Sequence, residues 1–93
     1  PLTVFIDEEK IKNQLVARNR KEGDRFTPIG MMGSKKLKNF LIDRKVPKER
    51  RDDLLLICDG DEVVWIAGDV ISEKYKLEKE SRTALKIKII QGD

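Results

Sequence analysis

The strongest constraint on the fold is a pair of apolar runs separated by a short polar turn. Residues 54–58 and 63–66 are almost continuously hydrophobic, and residues 59–62 between them read Asp-Gly-Asp-Glu. An Asp-Gly pair between two such runs is a strong short-range signal for a β-hairpin. We therefore predict two adjacent antiparallel strands. Trp65 lies within the second run and is predicted to be a core residue, because its neighbours are aliphatic.

Three further segments favour β-strands. Apolar and other residues alternate in residues 2–6 and again in residues 85–89, where Lys86 and Lys88 would face solvent at a sheet edge. Residues 11–18 fit either a strand or a short helix, and we favour the strand.

A central helix is predicted from the spacing of apolar residues. Leu37, Phe40 and Leu41 recur at i, i+3 and i+4, which places them on one buried face. The residue before a proline avoids the α-helical region, so this helix should end at Val46 and Pro47 should open a second short helix.

The length of 93 residues allows one modest hydrophobic core. We therefore interpret residues 1–93 as a single small α+β domain of mostly antiparallel strands, packed with a central helix and a second short helix. Because the chain starts at Pro1 rather than Met, with a strand-like segment directly after it, we expect a fragment of a longer protein.

The composition argues against several classes of site. Cys58 is the only cysteine and histidine is absent, so an internal disulfide, a zinc cluster and a Cys/His dyad lack their residues. The paired carboxylates at residues 52–53 and 59–62 are explained as helix-end and hairpin-tip groups, so we predict no catalytic residue and no metal site. The sequence shows no membrane span and no signal segment, and we expect a cytoplasmic protein.

Positive charge is concentrated in the middle of the chain. The net charge is +3, but residues 25–51 contain 9 Lys/Arg and only 2 Asp/Glu, while residues 1–24 are balanced and residues 52–93 are acidic. A local excess of this size is typical of a surface that meets phosphates. A solvated charged face without a ligand is the competing interpretation.

Residues 30–36 superficially look like a phosphate loop. The Walker pattern needs two glycines five positions apart followed by Lys and Ser/Thr, whereas here the glycines are closer together and Ser34 precedes the lysines. Nucleotide hydrolysis is therefore not predicted. If Ser34 caps the central helix, the free N–H groups of that helix start, together with Lys35 and Lys36, could hold one phosphate. The alternative is a tight turn at Gly33 with solvated lysines.

A dense set of motifs between Arg25 and Asp52 resembles the C-terminal domain of tRNA(Ile)-lysidine synthase. The shared elements are Gly-Asp-Arg-Phe, a Pro-x-Gly-Met turn, Gly-x-Lys-Lys-Leu, Ile-Asp-x-Lys-Val-Pro and a closing Arg-Asp. They occupy residues 23–26, 28–31, 33–37, 42–47 and 51–52. Residues 6–7, 61–68 and 71–76 extend the resemblance over nearly the whole chain.

The resemblance implies a parent enzyme that adenylates the anticodon cytidine of tRNA(Ile) with ATP and Mg²⁺ and joins it to lysine. The Ser-Gly-Gly-x-Asp-Ser motif of the N-terminal catalytic domain is absent here, so this fragment alone is not expected to be an enzyme. The implied partners are the tRNA(Ile) acceptor stem and the catalytic domain of the same chain, and the resemblance also admits a homodimeric parent.

The charge excess and the resemblance together point to a set of RNA-binding side chains. Because A-form RNA is contacted mainly through its phosphates and 2′-hydroxyls, basic residues are the natural candidates. The candidates are Lys35 and Lys36 first, then Arg25, Lys38, Arg50 and Arg51, with Lys74 and Lys76 as additions. The sequence departs from the family at Val70, where a basic residue is common.

Two other functions remain open on the sequence. The domain could be a protein-protein or interdomain module whose basic face packs against an acidic surface of the parent chain. A small independent enzyme would need converging polar groups in a pocket.

Overall fold

The computed structural model describes residues 2–90 and confirms the predicted α+β class. The strands are β1 (Thr3–Asp7), β2 (Leu15–Arg18), β3 (Arg25–Phe26), β4 (Lys35–Lys36), β5 (Leu56–Asp59), β6 (Glu62–Ile66) and β7 (Ala84–Lys88), and the helices are α1 (Leu37–Asp43) and α2 (Lys48–Arg51). Single 3₁₀ turns occupy Glu8–Lys10 and Glu73–Tyr75. Within residues 2–90, no helix is long and apolar enough to cross a membrane.

The strands form two sheets. The larger has the order β2-β5-β6-β3-β4, and the smaller pairs β1 with β7. All pairings are antiparallel except the short one between β3 and β6. The predicted hairpin is confirmed as β5 and β6, and Gly60 in its turn has a φ of +66°, which L side chains rarely adopt. The favoured strand in residues 11–18 is also confirmed, as β2.

Strands β5 and β6 of the larger sheet are covered on both faces. On one face α1 packs Leu37, Phe40 and Leu41 against the sheet, and the ring of Phe40 meets that of Phe26 edge to face with centroids 5.1 Å apart. On the other face the β1–β7 sheet covers Trp65, which is 1% exposed and therefore a core residue as predicted.

The predicted start of the central helix is wrong. Lys35 and Lys36 form strand β4, and α1 begins at Leu37 with Lys36 as its N-cap in extended conformation. The backbone of Lys35 and Lys36 pairs with β3, because this pairing satisfies the peptide groups of both short segments. The Leu37 stripe is correctly predicted, but no helix start exists at Ser34 to hold a phosphate.

The central helix also ends before the predicted position. α1 stops at Asp43, and Lys45 adopts a φ of +58°, the left-handed conformation that commonly terminates a helix. The N–H of Val46 then bonds the carbonyl of Leu41 at 3.0 Å, which closes the helix end. The second helix is confirmed as α2, directly after Pro47.

Cys58 is fully buried in the cluster under α1, and burial raises the pKa of its thiol to about 11. Because only the thiolate is a good nucleophile, we expect native Cys58 to react with iodoacetamide at pH 8 at least ~100-fold more slowly than in denaturant. Mass spectrometry of timed samples measures this ratio. Equal rates in the folded and unfolded chain would contradict the placement of Cys58.

Candidate nucleic-acid interface

Strand pairing aligns charged side chains on one face of the larger sheet. Arg25 of β3 lies opposite Lys36 of β4, and also opposite Glu62 of β6. Directly paired residues point to the same side of a sheet with Cβ atoms about 5 Å apart. The next residue of β3, Phe26, is buried under α1. Successive side chains alternate, so Arg25, Lys36 and Glu62 point to the face opposite α1.

The side chain of Arg25 is held in place by the loop that follows β3. Its Nε donates to Oγ of Ser34 at 3.0 Å, and its Nη2 donates to the carbonyl oxygen of Ser34 at 3.2 Å. A guanidinium carries five N–H donors in a planar fork. Two anchored donors therefore fix the plane of the fork and leave the others for a ligand.

Lys74 extends this alignment beyond β6. The N–H of Lys74 bonds Oγ of Ser72 at 3.1 Å, which caps the 3₁₀ turn, and its Nζ lies 3.2 Å from Oε1 of Glu62. Glu62 is directly beside Arg25 in the sheet. We call Arg25, Lys36 and Lys74 the cationic row. Lys36 is paired with Arg25, Arg25 is paired with Glu62, and Nζ of Lys74 lies 3.2 Å from Oε1 of Glu62.

Lys36 and Lys38 also line a cleft that the sequence did not reveal. The cleft has a volume of about 320 Å³, and its other walls include Arg20 and Lys21. Both of these cations have carboxylate neighbours, at 2.9 Å and 2.6 Å respectively. The sequence did not indicate Arg20 and Lys21 as candidates, because residues 1–24 carry equal numbers of positive and negative side chains.

The loop that forms one wall of this cleft is fastened by Asp24. Its side chain is buried, and Arg18 donates to both carboxylate oxygens at 2.8 and 2.9 Å, while the N–H of Lys21 donates at 2.8 Å. Burial acts to raise the pKa of Asp24, but the hydrogen bonds from Arg18 and Lys21 outweigh it and hold that pKa below its usual value. Lys21 is thereby placed at the cleft through its own backbone.

The first predicted contact, Lys35, is separated from the row. It points to the α1 face, where its Nζ lies 3.0 Å from Oδ2 of Asp43 and 6.0 Å from the centre of the Phe40 ring. Lys35 and Lys36 are therefore neighbours in sequence but face opposite ways. A contact of Lys35 with RNA remains a prediction.

The remaining predicted residues lie outside the row as well. Lys76 pairs with Glu73 at 2.6 Å, and this contact raises the pKa of Lys76. Arg50 and Arg51 belong to α2, where Nε of Arg51 donates to the carbonyl of Val46 at 2.9 Å. Within residues 2–90, no hydrogen bond or ion pair joins either arginine to the cationic row.

Asp59 organises the side of the sheet next to the row. It is 2% exposed and accepts three hydrogen bonds, from the N–H groups of Lys12 and Asn13 at 2.8 and 2.7 Å and from the hydroxyl of Tyr75 at 2.8 Å. Burial acts to raise the pKa of Asp59, but these hydrogen bonds prevail and lower it. The sequence suggested a solvated hairpin tip here, and for Asp59 that interpretation is wrong.

Val70, which departs from the family pattern, is partly buried and packs against the cluster under α1. Its carbonyl accepts the N–H of Ile66 at 3.1 Å. This position therefore contributes packing here.

The family model described as TilS substrate C-terminal domain matches residues 15–89. Among curated proteins, the chain is 53% identical over 85 residues to the tRNA(Ile)-lysidine synthase of Clostridium tetani and 48% identical over 83 residues to that of Caldanaerobacter subterraneus subsp. tengcongensis. These alignments cover 91% and 89% of the chain, but 18% of each relative. The chain thus spans less than a fifth of their length.

Two solved structures share the fold. A crystal structure of a TilS C-terminal domain has a TM-score of 0.68 at 24% identity, with coverage of 96% of this chain and 72% of that one. An N-terminal fragment of the phenylalanyl-tRNA synthetase β-subunit from Pyrococcus horikoshii has a TM-score of 0.70 at 17% identity, with coverage of 90% and 26%. At these identities, both likenesses bear on architecture alone.

Proposed function

This chain belongs to the TilS substrate C-terminal domain family, and on that premise we propose that it is the tRNA-binding domain of a longer tRNA(Ile)-lysidine synthase. In the proposed parent, an N-terminal catalytic domain uses ATP and Mg²⁺ to join lysine to the anticodon cytidine. The present domain holds the acceptor stem of the same tRNA. It acts as a binding module, and the chemistry takes place in the other domain.

The observation that carries this proposal is the cationic row beside the Lys36–Lys38 cleft. The deep major groove of A-form RNA excludes side chains, so a protein that holds such a duplex relies on phosphates and 2′-hydroxyls. Arg25 offers a guanidinium whose plane is already fixed, which suits two-pronged contact with a phosphate. Lys36, Lys38 and Lys74 add cations on neighbouring elements.

A binding role also fits the groups that could otherwise carry chemistry. Among the described residues, no group of His, Cys, Asp or Glu is arranged to hold a metal ion. The thiol of Cys58 is buried with a raised pKa, and the buried Asp59 carboxylate accepts three hydrogen bonds from within the domain. These groups therefore stabilise the domain, whereas the cations of the row and Lys38 are the groups that would bind a partner.

We expect binding of an acceptor-stem minihelix to weaken steeply with salt. If the row and Lys38 neutralise four phosphates, log K should fall against log salt with a slope of about −3.6, so affinity drops ~100-fold between roughly 50 and 200 mM. Filter-binding titrations of the 93-residue chain at several salt concentrations measure the slope. Failure to bind the minihelix at the lowest salt, together with binding to the separate catalytic domain, would favour the interdomain alternative.

A further inference from the structure

The loop that joins β3 to β4, residues 27–34, carries an exposed apolar tip. Met32 is fully exposed, and Ile29 and Met31 are exposed by 45% and 47%. Single exposed hydrophobic side chains are common on protein surfaces, but three within four residues form a patch of the kind that marks contact with a partner. Methionine suits such a contact, because its flexible side chain and polarisable sulfur adapt to the partner.

The backbone of this loop is held in place next to its tip. Gly30 has a φ of +85° and donates its N–H to Oε1 of Glu73 at 2.7 Å, while the N–H of Met31 bonds the carbonyl of Pro28 at 3.0 Å. The charge of Glu73 is balanced by Lys76 at 2.6 Å. Because a segment that is already ordered loses little conformational entropy on binding, the tip is preorganised for its partner.

The tip is joined to the cationic row through Arg25. The guanidinium of Arg25 donates two hydrogen bonds to Ser34, which follows Met32 by two residues, a span of at most about 7 Å. Residues 25–42 contain no Asp or Glu. An apolar surface attached to a fixed cation, without a carboxylate on the same segment, favours a partner that is both negatively charged and locally apolar.

One part of an RNA duplex meets both requirements. Along the side of an A-form helix the accessible groups are phosphates, ribose hydroxyls and base edges, because the base faces are stacked on one another. A base face is uncovered at the open end of the duplex, directly beside the last phosphates. Apolar side chains, methionine included, pack against base faces in other nucleic-acid complexes. The tip therefore fits the end of a duplex better than its side.

We propose that Met31 and Met32 pack against the base face at the open end of the bound stem, while Arg25 holds a phosphate of the same duplex. The inference rests on the proposed function and adds a specificity to it. The domain distinguishes the end of a stem from the interior of any duplex, which fixes the position of the RNA along the cationic row.

The test compares two RNAs with the same stem, a blunt minihelix with one open end and a dumbbell closed by a loop at both ends. We expect the unmodified chain to bind the minihelix roughly tenfold more tightly, because the dumbbell has no uncovered base face. In the double variant Met31→Ser with Met32→Ser, the two affinities should agree within about twofold. The affinity for the dumbbell and its salt slope should stay unchanged, which excludes unfolding as the cause.

Two further variants show whether apolar packing at this loop is responsible. Met31→Leu with Met32→Leu keeps the apolar surface and should keep at least half of the preference. Ile90→Ser removes a side chain that is 82% exposed outside the loop and should keep all of it.

Three results would overturn the role of the tip and leave the proposed function intact. They are equal binding of both RNAs to the unmodified chain, a preference that survives in the double serine variant, and an equal loss of affinity for both RNAs in that variant. Absence of binding of the unmodified chain to either RNA would overturn the proposed function as well.

Discussion

Replacing Arg25 and Lys36 together with glutamate is expected to weaken binding of the acceptor-stem minihelix roughly 100-fold at low salt. Each substitution removes a charge-assisted contact with a phosphate and puts a repulsive carboxylate in its place. The two residues are paired across β3 and β4, so the change falls on one spot of the surface. The salt slope should also become shallower by about 2, because two phosphates are no longer neutralised.

The matched control is Lys86→Glu with Lys88→Glu. These residues are exposed on β7, and the double substitution changes the net charge by the same amount. Binding that falls equally in both double variants would show that total charge, and not the cationic row, attracts the RNA. Lys35→Glu compared with Lys36→Glu decides between the two faces of β4, and we expect the larger loss at Lys36.

Asp59→Ala is expected to lower the free energy of unfolding by about 3 kcal/mol. The buried carboxylate accepts hydrogen bonds from Lys12, Asn13 and Tyr75, and its removal leaves these donors without an acceptor. Urea denaturation followed by circular dichroism measures the difference. Tyr75→Phe, which removes one donor and leaves the other two paired, should cost only about 1 kcal/mol.

The pH dependence of stability provides a second readout for Asp59. Because its pKa is lowered in the folded chain, the stabilisation is fully present above the pKa of the unfolded state, about 3.9, and is lost as the pH falls through the folded value. The unmodified chain and Asp59→Ala should therefore differ at neutral pH and converge in acid. A constant difference down to pH 2 would contradict this role.

Local signals in the sequence were sufficient for the hairpin and for α2, because a two-residue turn and a proline act on their immediate neighbours. The residue at which α1 begins could not be predicted from such local signals. A strand of two residues has no periodicity, so the pairing of Lys35 and Lys36 with β3 leaves no trace in the sequence pattern. The left-handed conformation of Lys45 could not be predicted from the sequence either, because glycine is the residue expected at such a position.

The candidate site was only partly predictable for a similar reason. Counting charges identified the middle of the chain, but the counts carry no information on which side of a strand each cation faces. Lys35 and Lys36 were therefore treated alike although they point apart. Arg20 and Lys21 were overlooked because residues 1–24 carry balanced charge in the count, and their ion-pair partners, Asp52 and Asp61, lie in another part of the chain.

The pairing of β1 with β7 has a consequence for how the domain is made. Thr3 lies opposite Lys88, and buried Ile6 shares its cluster with Leu85 and Ile87. Contacts between such distant parts of a chain form late and slowly, because a long loop must close first. While the ribosome is still synthesising residues 84–88, the edge of β1 lacks the strand with which it forms its hydrogen bonds. The smaller sheet therefore forms only after residues 84–88 have emerged from the ribosome.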